Sequence, residues 1–164
     1  MPSGPGTKAK PRPDWLACRE AGPRAFGRKI MTDAIFSIKH RYAERIYSGH
    51  KCVELRRTAP KTPIERAWIY ETAPVKKVTG WFEPGLIYPA MDCEALLESF
   101  GEEKCLGMQI AGTKEERLLA MIEALGDKPL HAISIKRAQR IRPVELRIRP
   151  PQSWMYCMKT EKLG

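Results

Sequence analysis

Six short stretches of this chain carry strand patterning, and helices do not alternate with them; that arrangement is what most constrains the fold. Ala34 to Lys39 sets Phe36 and Ile38 against Ser37 and Lys39, and Lys51 to Arg57 sets Val53 and Leu55 against Cys52, Glu54 and Arg56. Leu130 to Arg137 turns Ile133 and Ile135 to one side, while Arg66–Thr72, Lys77–Glu83 and Trp154–Met158 are rich in aromatic and β-prone residues. Helical signals fall in two places only. Arg41 to Ser48 spaces Tyr42, Ile46 and Tyr47 on one side before a stop at Gly49. Between 92 and 126, Asp92 caps a helix ending at Gly101, and Thr113 to Glu116 forms a capping box ahead of a stripe of Leu118, Ile122 and Leu125. A doubly wound parallel sheet needs a helix between successive strands. The pattern instead predicts an α+β domain on a small, closed or nearly closed β-barrel of about five to six strands, with flanking helices and a helical insertion.

Length and charge bound the rest. The 164 residues, 43% of them hydrophobic, suffice for one core. No apolar run approaches the roughly 20 residues of a membrane span, and no secretory leader is apparent, so a cytoplasmic protein without a membrane partner is expected. Five scattered cysteines without a C-x-x-C pair, and three scattered histidines, support neither a disulfide framework nor a metal site, and no cofactor is expected. The net charge of +10 makes a polyanion a reasonable partner. Residues 1–30 hold seven basic and two acidic side chains with nine Pro or Gly, which reads as a disordered basic arm; translation from Met31 is the other reading of that stretch. Residues 31–164 form the domain. Within it residues 75–129 are net acidic, and the basic charge lies toward the two ends.

The densest polar group is Ser48-Gly49-His50-Lys51-Cys52-Val53-Glu54-Leu55-Arg56-Arg57. A glycine turn launches a strand with Glu54 and Arg56 on one face and Lys51 at its entrance, where a four-carbon stem can swing around the strand end. With Ser37 and Lys39 of the first strand, these side chains line one cleft in this reading. A charged strand face is, however, often only solvated surface with cross-strand ion pairs. Of Trp68, Tyr70, Trp81, Trp154 and Tyr156, one or two are expected to be exposed for base stacking, with Trp154 and Tyr70 the choices. The arginines from 137 to 149 are expected on a loop.

Gly49-x-Lys51-x-x-Glu54-x-Arg56 resembles the G-x-K-x-x-E-x-R signature of ASCH domains, members of the PUA-like superfamily. Three further segments are similar to that family: Ile35–Lys39 to its opening strand, Trp68–Val75 to its central strand, and Pro150-Pro151-Gln152-Ser153-Trp154 to the ending of one bacterial and archaeal branch. The resemblance spans roughly residues 33 to 158. It implies a small β-barrel flanked by helices that binds RNA or a modified nucleoside, as a regulator in RNA metabolism or translation. The candidate ligand-binding residues are Ser37, Lys39, Gly49, Lys51, Glu54, Arg56, Tyr70, Thr72, Gln152, Ser153 and Trp154. The alternative is a hydrolase, an amidohydrolase on acylated cytidine nucleosides or a ribonuclease, with Lys51 and Glu54 catalytic. The deacylase branch of the family resembles a Lys-x-x-Thr arrangement, whereas Glu54 stands here where that threonine would be. Whether the chain is an enzyme, and its oligomeric state, stay open at this point.

Overall fold

The computed structural model describes residues 32–157. The expected basic arm, and Met158 at the expected end of the last strand, lie outside them. The described elements run β1 (Thr32–Ile38), α1 (His40–Tyr47), β2 (Val53–Arg56), β3 (Ile64–Glu71), β4 (Lys77–Ile87), α2 (Cys93–Ser99), α3 (Gly101–Leu106), α4 (Lys114–Leu125), β5 (His131–Val144) and β6 (Trp154–Cys157). The six strands make one sheet in the order β2-β5-β4-β3-β1-β6, curled into a half-barrel. β1 runs parallel to β3 with Ala34 opposite Ala67 and Ile38 opposite Glu71, and every other pairing is antiparallel.

β1, and β3 from Ala67 onward, are buried on both faces, because packed side chains cover the sheet on either side there. One face contributes Ala34, Phe36, Ile38, Ala67 and Ile69 to a core that α1 closes with Ala43 and Ile46. The other places Ile35, Trp68, Tyr70, Val78 and Trp81 under Ile141, Leu146 and Ile148. A third cluster joins Val53 and Ala132 to the helical insertion through Leu96, Leu97, Cys105, Leu106 and Met121. Among the described residues no helix is long and apolar enough to cross a membrane.

The insertion departs from expectation at one point. Asp92 caps α2, its side chain accepting from Ala95 N, and the Thr113–Glu116 capping box is formed. Gly101, expected to end the first helix, instead lets the chain turn at φ 78° and re-enter helix as α3, which runs to Gly107. The buried centre of α4 is Met121, flanked by Leu118, Ile122 and Leu125.

β5 also runs further than expected. Arg137, Arg140 and Arg142 stand on the strand rather than on a loop, because the 11-residue β4 supplies antiparallel partners as far as Val144. Only Arg147 and Arg149 lie in the connection to β6.

Candidate functional site

The three charged side chains of the Gly49–Arg56 segment meet at one point. Glu54 is 5% exposed; its Oε1 accepts from Arg56 Nη2 at 2.8 Å, and its Oε2 faces Lys51 Nζ at 3.6 Å. Lys51 precedes β2, and its stem carries the ammonium around the strand end. There Nζ donates to Val53 O at 2.7 Å and Cys105 O at 2.6 Å, with the Tyr42 ring 5.6 Å away. The helical insertion covers this point, since Cys52 N donates to Lys104 O and Cys105 belongs to α3. The structure thus brings Lys51, Glu54 and Arg56 together and also encloses them, which β2 alone does not foretell. Glu54 Oε2 and Arg56 Nε are buried without a hydrogen bond.

Arg56 spans the opening between the two sheet edges. β2 and β6 are the outermost strands, and the guanidinium on β2 donates to Ser153 O at 3.2 Å, Ser153 Oγ at 3.3 Å and Ser37 O at 2.9 Å, lying 5.3 Å over the Phe36 ring. Trp154 stacks on Phe36 with centroids 6.0 Å apart, and its Nε1 donates to Thr58 O at 2.9 Å. Tyr156 Oη accepts from Lys61 N and Thr62 N. A sheet whose edges are not paired strand to strand is therefore closed by side chains.

The remaining candidates are dispersed around that seam. Ser37 Oγ donates to Pro151 O at 2.6 Å, Thr72 N donates to Ile38 O, Lys39 is exposed at the N-cap of α1, Gly49 turns at φ 82°, and Gln152 is exposed. The stacking expectation is corrected for Tyr70. It is buried with Trp68 and Trp81 because its strand is covered on both faces; Tyr156 is exposed instead, and Trp154 is half-buried.

Two cavities flank the sheet. One of about 490 Å³ opens beyond Arg56, between Arg57, Thr58, Lys61, Tyr88 and His131, and His131 is the β5 partner of Arg56. The other, about 220 Å³, is walled by Arg66, Trp81, Glu83, Lys136 and Arg137, with both guanidinium groups about 5 Å from the Trp81 ring centre.

A second polar cluster, which sequence reasoning missed, lies on α1, β3 and β4. His40 Nδ1 lies 2.5 Å from Glu71 Oε2, Thr79 Oγ1 donates to Glu71 Oε1 at 2.7 Å, and Tyr47 Oη lies 2.9 Å from Thr79 Oγ1. Glu71 is 1% exposed. Its sequence signal was available: it continues the inward phase of Ala67 and Ile69 on a strand, which predicts a buried carboxylate needing partners. His40, Glu44 and Glu71 are also the three residues that, among those described, bring potential metal-ligand atoms within 4.8 Å of one another. Arg140 Nη2, at 2.5 Å from Glu44 Oε1, places a positive charge where a cation would sit.

Burial pushes the Cys105 thiol up to about 11, against the pull of the Lys51 ammonium, and pushes the Tyr47 phenol up to about 12. A raised pKa holds a proton in the folded state that the unfolded chain releases above about pH 9. The stability from Cys105 is therefore complete below about pH 9 and is lost as pH rises toward 11, by about 1.4 kcal/mol for each pH unit crossed. Thermal melts at pH 8.5 and 10.5 are expected to show this loss, and Cys105→Ala to remove its share of it. Identical pH slopes in the two proteins would refute the assignment.

A curled six-stranded half-barrel closed by side chains, with a helix over its core and a helical insertion at one edge, defines a small α+β barrel of PUA-like type. No model of a known protein family matches the chain. It is 31% identical over 139 residues to an ASCH domain-containing ribonuclease of Zymomonas mobilis, spanning 80% of this chain and 89% of that protein. The crystal structure of ASCH from Zymomonas mobilis superposes with a TM-score of 0.59 at 31% identity, over 78% of this chain and 89% of that one. A tyrosine-to-phenylalanine mutant of the same protein gives 0.59 at 30% identity, over 80% and 92%. The chain belongs to the ASCH domain family.

Proposed function

We propose that this protein binds single-stranded RNA or a nucleoside at the seam beside Arg56, with one base in the 490 Å³ cavity and the neighbouring phosphates on Arg57 and Lys61. The observation that carries this reading is the position of that cavity: it has nucleoside-scale volume, basic and aromatic walls, and begins one residue past the enclosed Lys51–Glu54–Arg56 cluster. In this arrangement Arg56, Ser37, Ser153 and Trp154 hold the wall in place, Gln152 is available to a base edge, and Lys51 and Glu54 stand behind them. Arg137, Arg140 and Arg142 extend the basic surface along β5.

Fluorescence anisotropy with a labelled twelve-nucleotide oligouridylate tests the reading. Arg57→Ala with Lys61→Ala is expected to weaken binding about tenfold or more and to flatten the plot of log affinity against log salt by about 1.4, the loss of two phosphate contacts on a single strand. Unchanged affinity and slope would place the RNA elsewhere, and no binding by the parent protein would remove the reading altogether.

A second reading, cleavage of the bound RNA, is favoured by the relative's name as an ASCH domain-containing ribonuclease. Incubation with labelled RNA and with acylated cytidine distinguishes it from a deacylase. The burial of Lys51 and Glu54, each already engaged, directs the search for a proton-transfer group toward a side chain that solvent reaches.

A further inference from the structure

His40 meets that requirement. Its side chain is 52% exposed, yet its Nδ1 is fixed against a carboxylate that is almost wholly buried. The polarity of the chain of hydrogen bonds follows from the inventory of donors. Glu71 only accepts when ionised; Thr79 Oγ1 spends its one proton on Glu71 Oε1, so Tyr47 Oη donates to Thr79. The remaining Glu71 oxygen takes Nδ1–H of His40, which leaves the lone pair of the neutral imidazole on Nε2, on the outward side of the ring. A ring held in one tautomer by a buried acid, with its basic nitrogen presented to solvent, is the arrangement a general base requires.

The surroundings suit a phosphodiester. Arg140 on β5 lies with its guanidinium 4.2 Å over the Tyr47 ring, half exposed and anchored on Glu44 of α1. Its charge and those of Glu44 and Glu71 act on His40 together, with Tyr47 and Thr79 as the polar neighbours from α1 and β4. The site also lies near the seam along the chain. His40 follows Ser37, whose carbonyl Arg56 holds, by three residues, which puts their Cα atoms within about 11 Å.

We propose that His40, positioned by Glu71, is a general base for cleavage of RNA at its 2′-hydroxyl, with Arg140 holding the scissile phosphate. This rests on the ribonuclease reading above. Nε2 takes the proton of the 2′-hydroxyl, an O2′–P bond forms, and the P–O5′ bond breaks with its electron pair going to O5′. O5′ takes a proton from water, and the imidazolium returns its own proton to solvent. The products are a 2′,3′-cyclic phosphate and a 5′-hydroxyl. No atom is oxidised or reduced.

The test uses the full chain and a labelled twelve-nucleotide RNA in EDTA, beside its 2′-O-methyl counterpart. Cleavage is expected to give cyclic-phosphate ends and to spare the methylated strand. His40→Ala is expected to slow it at least 100-fold with RNA affinity preserved, assayed well below a melting temperature that falls as buried Glu71 loses its partner, and added imidazole to restore part of the rate. Activity should rise with pH as His40 loses its proton. The hydrogen bond and charge of Glu71 hold the His40 pKa above its ordinary value, so Glu71→Gln should move this limb to lower pH. Full activity in His40→Ala would overturn the base while leaving the ribonuclease reading standing. Loss without imidazole rescue and with an unmoved limb would make His40 structural, and cleavage only with an added divalent cation would give the cluster to a metal. A parent protein that cuts no RNA would overturn both readings.

Discussion

Lys51→Met is expected to lower the stability of the fold by about 3–5 kcal/mol, the range for removing one partner of a buried ion pair. The substitution keeps the length of the stem and removes the charge. Its cost arises on the groups left behind. Val53 O and Cys105 O lose their donor inside the protein, and Glu54 keeps a buried carboxylate whose Oε2 already has no hydrogen bond. The same donor ties β2 to α3, so the insertion should loosen with it. The melting temperature is expected to fall by roughly 10 °C. Lys51→Met with Glu54→Gln should recover part of this, because the carboxylate that the missing ammonium faced is then neutral. A loss under about 1 kcal/mol in urea titrations would show that the ammonium is not needed where the structure places it, and that the cluster opens readily to solvent.

Gly80→Ala is expected to cost about 3 kcal/mol, at the upper end for overpacking. A Cβ there would lie 2.2 Å from Gln139 O on the neighbouring strand and 2.5 Å from the Tyr47 hydroxyl. Neither obstacle gives way easily, one being backbone and the other a half-buried phenol bonded to Thr79. The β4–β5 register shifts between Val78 and Gly80, so the strand is already irregular where the side chain would enter. Because the displaced Tyr47 belongs to the chain that ends on His40, the variant should also broaden the imidazole resonances in NMR spectra. Gly49→Ala is the control. Its position meets nothing within 4 Å and carries only the strain of φ 82°, about 1–2 kcal/mol. Equal losses at the two glycines would mean that close approach of β4 to β5 is not what selects glycine at 80.

Much of the fold was legible because its signals are local. Alternation at β1, β2 and β5, the Asp92 cap and the Thr113 capping box each lie within one turn or one strand, and the elements form where they are expected. The convergence of Glu54 and Arg56 was legible for the same reason, since residues two apart on a strand share a face. Lengths were not. β5 extends through a run of arginines because β4 offers partners, and α3 exists because Leu106 and Cys105 find a core to enter. Nor was enclosure legible. Nothing within Lys51–Arg56 reveals that α3 lies against it, or that Arg56 reaches a serine 97 residues later.

The sequence by itself determined where most strands and helices begin, and that a lysine, a glutamate and an arginine share one end of β2, since periodicity and stereochemistry act over a few residues. Tertiary structure alone decided that those charges are covered, that Arg56 closes the barrel seam, and that His40 meets a carboxylate 31 residues away. Burial and hydrogen-bond partnership depend on which surfaces the sheet brings face to face, and that is a property of the whole chain's packing.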